Sequence, residues 1–315
     1  MKFSVITPSY RQLDWLALCI ASVADQVQGT NPPISVEHII QDAGTPEIQP
    51  FAQKFNATLY VNQQKILDPS SNNPFYQLSI YSEQDHGMYD AINRGIAKAT
   101  GDILCYLNCD EQFLPSALTT IAAYFQRHPS TEILCAGVLV VDKNGHLISN
   151  RPGLKPWLCH VYADHLPIFT AALFYKRHVV EKPWKRFDTR YKDLADAAWV
   201  IERLRDGSSF HAIRDYISTF TDTGDNMNLK PNARAEAYYL HKKLAPLWTR
   251  LLRLPIVLLH RIRKFLRGDY LKQNLSYAIY TLASPTQRIP FTHPSQPIWW
   301  DRLHITSQKP AVPQA

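Results

Sequence analysis

A chain of 315 residues with 45% hydrophobic residues and seven Trp has too much buriable surface to be disordered over most of its length, and is long enough for one large domain plus an appendage. The formal net charge is +7, yet Leu244 to Lys272 alone holds seven Lys/Arg against one acid, so the basic character belongs to one segment and is no argument for a general polyanion-binding surface. The five cysteines form no CxxC pair and are odd in number, which points away from a disulfide framework or zinc knuckle and toward a reducing, cytoplasmic compartment.

The first residues, Met1 to Pro8, turn polar after too short an apolar run for a signal peptide, and no stretch reaches the roughly 18 to 20 apolar residues that span a bilayer. Phe3 to Ile6 predicts a strand stopped by Thr7-Pro8-Ser9-Tyr10. Leu13, Leu16, Ile20, Val23 and Val27 then recur at helical spacing. Val36 to Ile40 reads as a second strand ending in Gln41-Asp42-Ala43-Gly44, followed by a helix over Pro46 to Lys54 and a strand at Thr58 to Val61. Leu78 to Ser82 is a further strand, Tyr89 to Ala99 a helix, Ile103 to Leu107 a strand, Pro115 to His128 a helix and Ile133 to Val141 an apolar strand.

This alternation predicts an α/β fold, a mostly parallel central sheet flanked by helices, with ligands beyond the carboxyl ends of the strands. Asp42, Asp85 and Asp110 all fall just after predicted strands and can converge there. Residues 150–185 read as loops over the sheet with a strand at Ala171 to Tyr175, and Leu194 to Leu204 as a helix. The expected organisation is a catalytic domain over 1–228, a helical basic appendage over 229–283 and a Pro-rich extended tail over 284–315.

Four segments then carry the chemistry: Ser4-Val5-Ile6-Thr7-Pro8-Ser9-Tyr10; Ile39-Ile40-Gln41-Asp42-Ala43-Gly44; Ser82 to Gly95, containing Glu83, Asp85, Gly87, Asp90 and Asn93; and Thr100-Gly101-Asp102 through Leu107-Asn108-Cys109-Asp110. Together, in this order, they resemble the family 2 glycosyltransferases of the GT-A fold, especially the bacterial branch that builds surface and capsular polysaccharides. The match runs over roughly residues 3–225.

The resemblance implies a nucleotide-sugar donor, such as a UDP-sugar, bound by Pro8, Tyr10, Asp42, Asp85, Asp90, Asn93 and Asn108. Asp42 would face the uracil ring, or it would be an Asx-turn acid capping the next helix. Asp85 would line the donor pocket, while Asp90 would do so or cap the helix beginning near Tyr89. Asn108-Cys109-Asp110 stands where relatives carry an Asp-x-Asp metal motif, so Asp110 is the expected ligand of a divalent cofactor, Mg²⁺ or Mn²⁺; Asn108 departs from the pattern and removes one negative charge. The segment Phe187 to Trp199 looks like the family stretch that ends in a general base, which would deprotonate an acceptor hydroxyl. Asp196 best matches that place and Asp193 competes with it; either would otherwise serve the helix N-terminus. Relatives often place His near the acceptor where this chain has Thr170, and His165 is the nearest substitute.

Leu247 to Arg267 alternates apolar residues with Arg250, Arg253, Arg261, Lys264 and Arg267, and Pro255 should kink it. Such a segment can lie on an anionic membrane surface or pack on the catalytic domain with a solvated basic face. The expected function is transfer of a sugar, with inversion, to a hydroxyl of a saccharide or lipid-linked acceptor by an enzyme peripheral to the cytoplasmic membrane, with no nucleic acid involved. The rivals are a degenerate membrane-associated partner subunit, for which Asn108 and Thr170 speak, and a nucleotidyltransferase, whose Gly/Arg/Lys-rich loop Ser9-Tyr10-Arg11-Gln12 does not provide.

Overall fold

The computed structural model describes residues 1–29, 33–69, 73–224 and 231–297. The expected boundary at 228/229 and the part of the expected tail beyond 297 lie outside these residues.

Strands β1 (Lys2–Ser9), β2 (Ser35–Asp42), β3 (Thr58–Val61), β5 (Tyr76–Ser82) and β6 (Ile103–Tyr106) form the parallel part of the sheet, in the order β3-β5-β2-β1-β6, with β4 (Gln64–Leu67) antiparallel on the outer edge. Beyond β6 the sheet becomes mixed. β10 (Leu173–Lys176) lies antiparallel between β6 and β8 (Ile133–Val141), β11 (Phe210–Thr221) runs parallel to β8, and β7 (Glu111–Phe113) and β9 (Leu147–Arg151) add antiparallel edges. All nine residues of β8 are buried, as expected for a strand covered on both faces.

The predicted strands at 36–40, 58–61, 78–82, 103–107 and 133–141 are all present to within two residues. Two differences have physical reasons. β1 continues through Pro8, because β6 pairs only with Phe3 to Ile6; beyond that point β1 is bonded on one side only, where a residue without N–H is tolerated. β11 was not legible, because register shifts between Ala212 and Ser218 break its alternation.

Helices α1 (Leu13–Ala24), α2 (Ile48–Lys54), α3 (Met88–Lys98), α4 (Ala117–Arg127) and α6 (Ala195–Arg205) cover the sheet, and α5 (Leu158–Ala163) lies within the segment expected to be loop. α3 sits so close on β1 that a Cβ at Gly95 would fall inside the Ile6 side chain. An aromatic cluster ties these elements: Phe187 packs on Tyr89 of α3 at 5.7 Å, on Tyr106 of β6 at 5.6 Å and on Trp199 of α6 at 5.4 Å.

The C-terminal region is helical at first, with α7 (Pro231–Tyr239), a π-helical turn over Leu240–Leu244, α8 (Leu247–Leu251) and α9 (Arg253–Leu266). The break falls at Leu252, three residues before Pro255, so the proline sits in the first turn of α9, where its missing N–H costs nothing. Residues 284–294, expected in an extended tail, instead pair as β13 (Ser284–Pro294) with β12 (Asn274–Thr281). Pro285, Pro290 and Pro294 fit there because both strands of a hairpin are edges.

Candidate active site

Since β2 and β6 flank β1 on opposite sides, the crevice at their carboxyl ends is where such a sheet binds ligands. Tyr10 follows β1 and is 58% exposed, with the Arg11 guanidinium over its ring, while Pro8 is buried inside the strand. Asp42 ends β2 and is fully buried. Its Oδ2 accepts from the amides of Gly44 (3.0 Å) and Thr45 (2.8 Å) and from the Ser82 hydroxyl (2.7 Å), and its Oδ1 accepts from the Thr45 hydroxyl (2.6 Å). Four bonds against about four acceptor positions occupy this carboxylate, three from its own turn, the Asx-turn alternative of the sequence, and one from Ser82 of β5.

The acids after β5 divide in the same way. Glu83 accepts from the Gln41 side chain at 3.0 Å and lies 3.6 Å from both Arg94 and Lys98. Asp90 accepts from the His86 amide (3.0 Å) and pairs with Arg94 (2.9 Å); burial pushes its carboxyl up, but these partners outweigh burial and hold it below the ordinary range. Asn93 is occupied at both ends, donating to the Phe187 carbonyl (2.7 Å) and accepting from the Phe187 amide (3.0 Å), so it fastens α3 to the segment leading to α6. Asp85 is the least committed. It accepts one bond, from Gly87 N–H (2.9 Å), and its carboxyl is raised by burial, then by the nearby charges of Asp90 and Asp42. Gly87, at φ 115°, gives the backbone conformation that this turn into α3 requires.

The segment after β6 carries two acids, Asp110 and Glu111, the first of them half-buried. Glu111, buried, accepts from the Asn108 amide N–H (2.8 Å) and from Asn108 Nδ2 (3.2 Å). This orients the Asn108 side chain and leaves its Oδ1 buried with no hydrogen-bond partner. Next to it, burial raises Asp110 to about 6, and burial followed by the Asp110 charge raises Glu111 to about 8. An orphaned amide oxygen beside a carboxylate short of positive charge fits a hard divalent cation held through oxygens. Sequence reasoning missed Glu111; its only signal was its place directly after Asp110.

Asp196 lies in the first turn of α6, where Oδ1 accepts from Ala197 N–H (2.7 Å). Burial raises its carboxyl to about 6, against the lowering effect of that amide and of the Tyr89 hydroxyl. Asp193 faces elsewhere: it is buried and accepts from Asn232 of α7 at 2.8 Å. Glu236 of α7 takes the amides of Lys192 (2.6 Å), Asp193 (3.0 Å) and Leu194 (2.9 Å), so an acid from the appendage caps the start of the helix that carries Asp196. The phenol of Tyr106 joins the two halves. It is pushed well above its range by burial and then by the charges of Tyr89 and Asp196, with Thr170 bonded to it and Glu111 also felt. Asp196, Thr170 and Glu111 therefore all lie within interaction range of the Tyr106 hydroxyl. His165 instead bonds Asp164 at 2.8 Å.

The basic apolar segment is turned inside out. α9 buries Ile256, His260 and Lys264, one turn apart, and exposes Leu254 (80%), Leu258 (59%), Phe265 (62%) and Leu266 (77%). Leu247, Trp248 and Leu251 of α8 are exposed as well. Two of the cations expected to face solvent or lipid instead hold α9 to the domain, Arg253 pairing with Asp164 (2.8 Å) and Arg267 donating to the Gly153 carbonyl (2.7 Å), and a third, Lys264, is buried over the Tyr270 ring that follows the helix. No helix among the described residues is long and apolar enough to cross a membrane.

A family model described as Glycosyl transferase family 2 matches residues 4–189. A PGL/p-HBAD biosynthesis glycosyltransferase of Mycobacterium tuberculosis is 27% identical over 266 residues, which cover 82% of this chain and 90% of that one. An uncharacterised glycosyltransferase of Nostoc sp. is 25% identical over 206 residues, 62% and 57% of the two chains. Among solved structures, S. aureus TarS in complex with UDP-GlcNAc superposes with a TM-score of 0.55 at 15% identity, covering 76% of this chain and 64% of that one, so the chain spans less than two thirds of the TarS chain it matches. This likeness establishes the fold, a GT-A sheet flanked by helices and followed here by a helical appendage. With its family model covering more than half its length, the chain belongs to glycosyl transferase family 2 and is a glycosyltransferase.

Proposed function

We propose that this enzyme takes a sugar from a nucleoside-diphosphate sugar, a UDP-sugar first among them, and passes it to a hydroxyl of a saccharide or lipid-linked acceptor. The observation that carries this reading is the partnerless Asn108 oxygen, two residues from the raised carboxyl of Asp110, together with a second raised carboxyl at Asp196, whose charge reaches Tyr106 at the end of β6, the strand that leads into Asn108. Asp110 and Asn108 Oδ1 would hold Mg²⁺ or Mn²⁺, which neutralises charge on the departing diphosphate. Tyr10, Pro8 and the turn built by Asp42 form the wall for the base, and Asp85 lines the sugar side. Asp90 and Asn93 hold α3 behind Asp85, the one by pairing with Arg94 and the other by bonding the Phe187 backbone.

In the transfer, Asp196 takes the proton of the acceptor hydroxyl as its oxygen bonds to the anomeric carbon. The bond from that carbon to the diphosphate oxygen breaks, and the nucleoside diphosphate leaves with the electron pair. In-line attack gives inversion. A carboxyl near 6 suits a base at neutral pH, being ionised yet more basic than an ordinary aspartate. Asp193, held by Asn232, is left as a helix-start residue.

The exposed leucines of α8 and α9 support a working place on a membrane surface. Contiguous apolar faces of this kind mark interaction sites, and a helix in the interfacial plane buries such a face among lipid headgroups. With three of its cations turned inward, insertion of the leucines outweighs attraction to anionic lipid.

The test is release of nucleoside diphosphate from a panel of UDP-sugars and other nucleotide sugars by the full chain, with Mn²⁺, Mg²⁺ or EDTA. Metal-dependent release is expected. If neither turnover nor metal-dependent nucleotide binding occurs, the transferase reading of this site fails and a degenerate subunit takes its place; pyrophosphate chemistry on a nucleoside triphosphate would favour a nucleotidyltransferase.

A further inference from the structure

Away from the crevice, α5 and the residue pair after it bring together His160, Asp164 and His165. His160 and Asp164 stand one helical turn apart and so share a face, and His160 is fully buried. One ligand atom from each of the three lies within 4.8 Å of the others. The surroundings come from the appendage. Arg253 of α9 takes Asp164 Oδ1 (2.8 Å) and the Ala163 carbonyl (3.0 Å), which leaves Oδ2, now 2.8 Å from His165 Nδ1, facing the imidazoles. His260 of α9 stacks on His160, with ring centroids 3.7 Å apart and planes inclined by 22°.

Two imidazoles and a carboxylate are the donor set of zinc-class ions, whereas Mg²⁺ and Ca²⁺ prefer oxygen alone. Ligands about 2.0–2.1 Å from a tetrahedral ion are about 3.3 Å from each other, so side-chain rotation closing the cluster by about 1–1.5 Å would complete a site with water in the fourth position. We propose that His160, Asp164 and His165 bind a zinc-class divalent ion, separate from the cation of the donor crevice, on the face of the catalytic domain against which α9 packs. The site stands whether or not the donor reading is right, since none of its three ligands belongs to the crevice.

The experiment uses the full chain stripped with EDTA, dialysed and titrated with Co²⁺ as a spectroscopic probe, then with Zn²⁺. About one Co²⁺ per chain with the absorption of a tetrahedral nitrogen and oxygen site is expected, displaced by Zn²⁺, retained in Asp110→Asn and lost in both His165→Gln and Asp164→Asn. Saturating Zn²⁺ should raise Tm by about 5 °C in the unmodified chain and leave His165→Gln unchanged. Absence of the cobalt spectrum in the unmodified chain overturns the proposal by itself, even if a variant fails to fold; so does binding that survives both substitutions or is lost only with Asp110→Asn.

Discussion

The carboxyls of Asp110 and Asp196 stand near 6 for the same reason: burial disfavours the charged form, and no cationic side chain pairs with either in the hydrogen bonds and ion pairs described. For Asp196 the consequence has a definite sign. A base must be ionised, so turnover should rise with pH through about 6 and level off above it, and Asp196→Asn should abolish that limb along with at least about a hundredfold of the rate. Stability runs the other way. A carboxyl raised in the folded state contributes stability present below its unfolded value of about 3.9 and lost as pH rises through about 6. Asp196→Asn should therefore melt higher than the unmodified chain at pH 7.5, with the gap narrowing below pH 6 and closing only near pH 4; an equal or lower melting temperature at pH 7.5 would contradict the burial argument. Asp110 and Asp196 were legible in the sequence because each sits in a short motif after or before a regular element. Glu111 was signalled only by its place directly after Asp110, and Glu236 and Tyr106 were not legible, because they act through partners that only the fold brings near.

Among the elements, α3 shows how tightly packing sets the site. Gly95→Ala pushes a methyl group into Ile6 and must lift α3 off β1, so it should cost about 1–3 kcal/mol in a denaturant titration and weaken donor binding through Gly87 and Asp85. α9 makes the opposite case, a helix whose apolar face has no protein partner among the described residues. The paired substitutions Leu258→Glu and Phe265→Glu should leave Tm within about 2 °C, since both side chains are more than half exposed, and should abolish sedimentation with liposomes. Binding of the unmodified chain should change little between 50 and 500 mM salt; a steep loss would return the main role to the arginines. Helical periodicity made this segment legible as amphipathic, but which face would be buried depended on Asp164 and Gly153, far away in the chain. β1, β2, β3, β5, β6 and β8 followed from apolar runs bounded by turn residues, whereas the short polar edge strand β4 did not. β11 and the β12–β13 hairpin did not, the one because of its bulges and the other because three prolines resemble a tail.

At the scale of the molecule, the carboxyl-terminal hairpin belongs to the catalytic unit. Arg288 and Tyr280 both hold Asp25 at the end of α1, at 2.6 and 3.0 Å, and the Gln112 side chain exchanges two bonds of 2.9 Å with the Tyr280 backbone, one residue from Glu111. Leu275, Tyr277 and Ile279 close over Leu114, Leu139 and Val141. Truncation after residue 243 should therefore yield a destabilised protein with exposed apolar surface, read as a lowered Tm and aggregation; a truncated chain as stable as the whole would deny the hairpin this role. The glycosyltransferase account itself rests on a division of labour between two carboxyls. Its most direct test is to measure, side by side, the affinity for a UDP-sugar with Mn²⁺ and the rate of UDP release in Asp110→Asn and Asp196→Asn. The expected result is loss of the metal-dependent affinity in the first, and in the second an affinity within about twofold of the unmodified chain with release slowed at least about a hundredfold. Metal-dependent binding that survives in Asp110→Asn, or normal release by Asp196→Asn, would contradict it.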